Sequence, residues 1–166
     1  MESISIDEIL HITRGELLQG NRSLAITNVA IDSRKIKNNY LYVPIVGETN
    51  NGHDYITQAY SNGGQVCLTE ERNRSFPAEM TVVYVASTLA AMKALAGFNR
   101  QRYNIPVIAI TGSSGKTTTK DLVAAVLSQK YHTLKTEGNF NNEYGIPQTL
   151  FNLGPDHQIA VIEMGM

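Results

Sequence analysis

The sequence predicts an α/β protein: a small N-terminal α/β unit, followed by the opening part of a P-loop-type parallel sheet, truncated. Three observations carry that expectation. Strand-like apolar runs alternate with helical spacings along the 166 residues, the pattern of sheets covered by helices. The run Ile105–Ile110, "IPVIAI", is apolar without alternation, as a parallel strand covered on both faces must be. Directly after it, "TGSSGKTT" sets glycines and a lysine at a strand-to-helix junction.

The elements follow in order. "SIDEILHITRG" opens a short helix, with Ser5 as N-cap and Glu8 three residues on as a capping box. "LAITNVAIDSR" has strand alternation, and "YLYVPIVG" is a second strand ended by Gly47. His53 to about Ser61 forms a short helix closed by Gly63 and Gly64. "QVCLTE" and "TVVYVAS" are further strands. Leu89, Met92, Leu95, Ala96 and Phe98 then repeat at helical spacing, with Ser87 or Thr88 as the cap. A break near Tyr103–Asn104 divides the chain into units 1–103 and 104–166. The second unit reads as strand 105–111, glycine loop 112–115, helix 116–130, strand 132–136, loop 137–142, helix 143–152 and strand 159–164. A sheet of this kind with so few strands leaves apolar edges unpaired. The expectation is therefore an N-terminal piece of a longer protein, or a sheet edge that something else covers.

Composition narrows the function classes. Hydrophobic residues at 42% and charged residues at 17% are globular values. The net charge of −1 leaves no basic excess to neutralise phosphate backbones, so no nucleic-acid partner is expected. No apolar run reaches the roughly 20 residues of a membrane span, and "MESISIDEIL" has no signal-peptide pattern. A cytoplasmic protein without membrane insertion is expected. The single cysteine, Cys67, reads as an inert core thiol.

The glycine loop is the strongest chemical signal. In such loops successive backbone N–H groups and the following helix N-terminus face an anion. Gly112, Ser113, Ser114 and Gly115 would form the cradle, with Lys116 reaching the phosphates and Thr117 offering its hydroxyl to Mg²⁺. The loop is shorter than the usual pattern, since Ile110 stands where the first glycine would be. Glu163 ends the apolar run of "QIAVIEMGM", at the sheet edge where a metal carboxylate belongs. Asn139, Asn141 and Asn142 crowd one loop, where they serve tight turns or bind a ligand through their amides.

Together "TGSSGKTTTKD", "TEGNFNNEYGIPQTL" and "VIEMGM" resemble the Mur ligase family. "VAIDSRKI" and "VGETNNGHDYI" are similar to that family's N-terminal motifs, while "NNYLYVP" lacks a glycine and an acid usual there. The resemblance implies a UDP-substrate domain at 1–103 and the first part of an ATPase domain at 104–166. It implies an ATP-dependent, Mg²⁺-using amide-bond ligase of peptidoglycan precursors, with UDP-N-acetylmuramoyl-tripeptide and D-alanyl-D-alanine as substrates. By the same likeness Thr118 joins the phosphate loop, and Asn139, Asn142 and Thr136 line the junction of nucleotide and substrate. Ser33, Arg34, His53 and Asp54 would meet the UDP moiety; on residue chemistry alone Asp32 and Arg34 read as a surface ion pair. The remaining central and C-terminal domains would complete catalysis, so the 166 residues alone are expected to be inactive. A stand-alone module that binds a UDP-sugar or nucleotide without catalysis is the alternative.

Overall fold

The structure, a computed structural model, describes residues 1–165. It divides into two compact units, Glu2–Leu95 and the chain from Ala96 onward.

In the first unit a two-residue strand β1 (Ile4–Ser5) leads into helix α1 (Ile6–Thr13). The Ser5–Glu8 capping box is formed in both directions, which contributes about 1 kcal/mol. Strands β2 (Glu16–Gln19), β3 (Ala25–Ile26), β4 (Asn28–Ala30) and β5 (Tyr40–Tyr42) follow. The expected single strand over "LAITNVAIDSR" is thus two. Thr27 donates its N–H to the Asn39 carbonyl at 2.7 Å, so the chain changes partner there. β3 pairs with β1, and β4 pairs in parallel with β5. Residues Gly52–Tyr55 wind as a 3₁₀ turn before α2 (Ile56–Ser61), because the Asn51 side chain caps His53 N–H. Strands β6 (Val66–Thr69) and β7 (Thr81–Tyr84) complete a sheet of order β2-β7-β6-β5-β4. Only the β2–β7 pair in it is antiparallel. Tyr42, Ile56, Cys67, Met80 and Val82 fill the core beneath this sheet. Burial raises the Cys67 thiol's proton affinity, so it stays protonated and inert, as its sequence context implied.

Helix α3 (Thr88–Gln101) begins with Ser87 accepting the Ala90 N–H. The second unit then runs β8 (Val107–Ile110), α4 (Lys116–Leu127), β9 (Thr133–Lys135), α5 (Gly145–Phe151) and β10 (Ile159–Glu163). The three strands are parallel in the order β8-β10-β9. β10 is the central strand and is buried along its whole length, where each large aliphatic contributes about 1.5–3 kcal/mol. Helix α4 stops at Leu127, short of the expected 130. Beyond it Gln129 and Lys130 bond three residues back, to Val126 and Leu127, a tightened last turn. Because the strands are parallel, the loops after β8 and β9 and the end of β10 share one edge of the sheet, where open α/β sheets bind ligands.

Candidate functional site

At that edge the glycine loop connects β8 to α4. Gly112 has φ 148 and Gly115 φ 74. Both lie in the left-handed region that favours glycine. Gly115 is the N-cap of α4, so the first-turn N–H groups have no acceptor within the helix and face the loop. Lys116 bends over the loop and donates to the Gly112 carbonyl at 2.6 Å. Ser113, Ser114 and Thr118 are exposed around it.

Thr117 lies on the first turn of α4 and donates its hydroxyl to Glu163 Oε1 at 3.1 Å. Their separation of 46 residues is closed by the β8–β10 pairing, which sets Glu163 opposite Ile110. Glu163 is 1% exposed, and its Oε1 also accepts the Asn141 amide at 2.7 Å. Its Oε2 is buried and makes no hydrogen bond among the described residues. An orphaned carboxylate oxygen beside a hydroxyl and an anion-binding helix end is a set of donors that suits a hard divalent cation.

The asparagine loop divides its work. Asn142 Oδ1 accepts from Tyr144 N–H at 3.2 Å and from Gly145 N–H at 2.8 Å, which caps the start of α5. Asn139 is exposed, and its carbonyl accepts the Asn141 N–H. Thr136 is buried and its hydroxyl accepts the Glu163 N–H at 3.0 Å. Sequence reasoning names Asn141 only with its neighbours and the family likeness leaves it out of the site, although it is the asparagine that touches the carboxylate. It also leaves out Lys120, which is 1% exposed with Nζ 3.8 Å from Glu163 Oε2. Three adjacent asparagines carry no signal that separates a cap from a ligand. A lysine on an amphipathic helix reads as solvated.

The first unit holds a separate hollow of about 540 Å³ lined by Asp32, Ser33, Arg34, Tyr42, Tyr55 and Gln58, among others. Asp32 caps a 3₁₀ turn at Ser33–Lys35. The Arg34 guanidinium grips both Asp32 oxygens at 2.9 Å and draws that carboxyl down to about 2. Ser33 donates to Gln58 at 2.6 Å. His53 and Asp54 are not among the residues that line this hollow. His53 is 1% exposed, with Nδ1 2.8 Å from Asn51 Oδ1 and Nε2 accepting the Glu70 N–H at 3.0 Å. That pattern sets a neutral ring protonated on Nδ1, and burial lowers its proton affinity. Asp54 pairs with Arg74 at 2.8 Å. Both residues brace the turn that carries Gly52 and Tyr55 to the hollow.

A family model described as the Mur ligase family, catalytic domain, matches residues 25–109. A second, described as the Mur ligase middle domain, matches residues 110–166. The chain is 40% identical over 146 residues to the UDP-N-acetylmuramoyl-tripeptide–D-alanyl-D-alanine ligase of Synechocystis sp., covering 88% of this chain and 32% of that protein. It is 38% identical over 165 residues to the Escherichia coli protein of the same name, covering 99% and 35%. Among solved structures, MurF from Acinetobacter baumannii matches with a TM-score of 0.91 at 34% identity, over 100% of this chain and 36% of that one. MurF ligase from Thermotoga maritima in complex with ADP matches with a TM-score of 0.73 at 30% identity, over 83% and 32%. The chain spans about a third of the length of these relatives.

Proposed function

Because the chain belongs to the Mur ligase family, we propose that it is the N-terminal portion of an ATP-dependent ligase that joins D-alanyl-D-alanine to UDP-N-acetylmuramoyl-tripeptide. The observation that carries the reading is the meeting of Thr117 with Glu163 beside the glycine loop, at 3.1 Å. A plain βα turn needs no such partner. The names of the relatives supply the substrates, and the complex of one structural neighbour with ADP supports the nucleotide.

In this reading Gly112–Gly115 and the first turn of α4 hold the ATP phosphates, with Lys116 on the β- and γ-oxygens. Leaving the Gly112 carbonyl frees its ammonium for that contact. Thr117 and Glu163 would hold Mg²⁺, which when bound would supply neutralisation of the phosphates' charge. The terminal carboxylate of the UDP-linked tripeptide attacks the γ-phosphorus, and ADP leaves. The amine of D-alanyl-D-alanine then attacks the acyl carbon, loses its proton, and expels phosphate. Positioning and charge neutralisation are the chain's contribution. Asn139, Asn142, Thr118 and Thr136 border the nucleotide edge, with Thr136 and Asn142 acting through backbone bonds. Ser33 and Arg34 line the hollow that takes the UDP moiety, and His53 and Asp54 support it. The division of labour runs 1–103 for the UDP substrate and 104–166 for ATP. The remaining central and C-terminal domains bring the amine, and the reaction belongs to the cytoplasm, where ATP and nucleotide-linked precursors meet.

The test is phosphate release by the full-length protein, which should require UDP-linked tripeptide and D-alanyl-D-alanine together. Lys116→Ala should lower turnover at least about 100-fold and change the affinity for the UDP-linked substrate less than about twofold. Release that ignores either substrate, or equal loss of turnover and UDP-substrate binding, would overturn the assignment.

A further inference from the structure

We propose that Lys120 is a positioning residue of the nucleotide site, binding the asparagine loop and Glu163 into one unit from beneath. The inference rests on the nucleotide-site reading of the glycine loop. Lys120 follows Thr117 by three residues on α4, so both face the end of β10. Its ammonium is buried. Burial of a charge is costly unless acceptors surround it. Three do: the Gly138 carbonyl at 3.3 Å, Asp121 Oδ1 at 3.4 Å and Glu163 Oε2 at 3.8 Å. An ammonium has three protons to offer. The contact with Oε2 is an ion pair without a hydrogen bond, so charge is balanced while that oxygen keeps its lone pairs for a ligand.

The loop between β9 and α5 grips Glu163 at two other places. Thr136 takes its N–H, and Asn141 binds Oε1. Gly138 sits between them at φ 51, and Lys120 ties down its carbonyl. The carboxylate is therefore oriented by α4 and by the loop at once, with Lys120 as the link between the two. Lys116, in contrast, donates to the Gly112 carbonyl of the glycine loop. One lysine serves the phosphates and the other serves the carboxylate. Lys120 is too buried to touch a nucleotide, so it acts through Glu163.

The experiment uses the full-length protein with Lys120→Met, which keeps the stem, and Lys120→Gln, which keeps a donor for Gly138. Hydrogen exchange over 136–143 reports the loop, where the Phe140 and Asn141 N–H groups are bonded to Glu137 and Asn139. Lys120→Met should speed exchange there, and lower turnover, at least about tenfold, as loss of a residue that orients a metal ligand does. The KM for the UDP-linked substrate should stay within about twofold. Lys120→Gln should restore loop protection but not turnover, since it carries no charge toward Glu163. Wild-type exchange and turnover in Lys120→Met would overturn the proposal. So would exchange rising equally throughout β8–β10, or Lys120→Gln leaving the loop unprotected. If Lys120→Met does not fold, Lys120→Gln decides: lowered turnover with a protected loop supports the role, and wild-type turnover ends it. Failure of the nucleotide-site reading itself shows separately, as no Mg²⁺-dependent ADP binding by the unsubstituted protein.

Discussion

His53 shows how a single side chain sets a condition on the fold. Its Nε2 accepts the Glu70 N–H, so a proton there breaks a buried bond and places charge on a ring shielded from water. Burial is the leading reason its proton affinity is lowered; Glu71 and Glu70 oppose that in part. The unfolded chain binds a proton near the ordinary value of 6.5, where the folded chain does not. Stability from this residue is therefore complete above that value and is lost as pH falls below it. Urea midpoints measured at about pH 7.5 and about pH 5.5 should fall on acidification, with at most about 1.4 kcal/mol per pH unit from one group. His53→Gln should be less stable at neutral pH but should flatten that dependence; an equal decline in both proteins would refute the assignment. The sequence showed that His53 stands in a motif but not which way it points. Thr117 and Glu163 were legible because a loop pattern and the end of an apolar run fix their places. Lys120 and Asn141 were not, because each acquires its partner through the β8–β10–β9 pairing, which brings residues about 20 to 45 apart together.

Among the elements, helix starts and the glycine loop were readable because caps and glycines act locally. Strand order was not, since β10 inserts between β8 and β9 although it comes last in the chain. The short edge strand β2 has only Leu17 and Leu18 as a signal. Two glycines test how tightly the elements are set. A Cβ on Gly145, at the start of α5, would lie 2.4 Å from the Phe140 carbonyl carbon. The asparagine loop is thus pressed against α5 where only glycine fits. Gly145→Ala should cost about 1–3 kcal/mol by overpacking, read from chemical denaturation, and should speed exchange of the loop. A methyl group on Gly97, inside α3, would meet no atom within 4 Å apart from its chain neighbours and its own helix backbone. Gly97→Ala should be stabilising by about 0.5–1 kcal/mol, the helix-propensity gain. Equal effects at the two positions would mean that the Phe140 contact is not formed.

At the scale of the molecule, the second unit leaves an apolar face uncovered. Leu122 and Val126, one turn apart on α4, are 64% and 72% exposed. With Ile108, Val123 and Leu127 they line a shallow hollow of about 320 Å³ on the β8 side. β8 and β9 are both edges of their sheet. Apolar surface beside an open parallel edge is what a further strand or helix covers, and left bare it drives association. The relatives are about three times as long as this chain, which fits a covering supplied by more of the same polypeptide. The 166-residue chain purified alone should therefore bind a hydrophobic dye and grow in light scattering as its concentration rises, and the full-length protein should do neither. Leu122→Lys with Val126→Glu should make the short chain monomeric without loss of helix signal, because both side chains already face water there. In the full-length protein the same pair should lower the melting temperature, because two charges would then replace apolar packing under a neighbouring element and lose their hydration. A short chain that stays monomeric and silent to the dye, with a full-length protein indifferent to the pair, would show that α4 presents this face to solvent in the full-length protein.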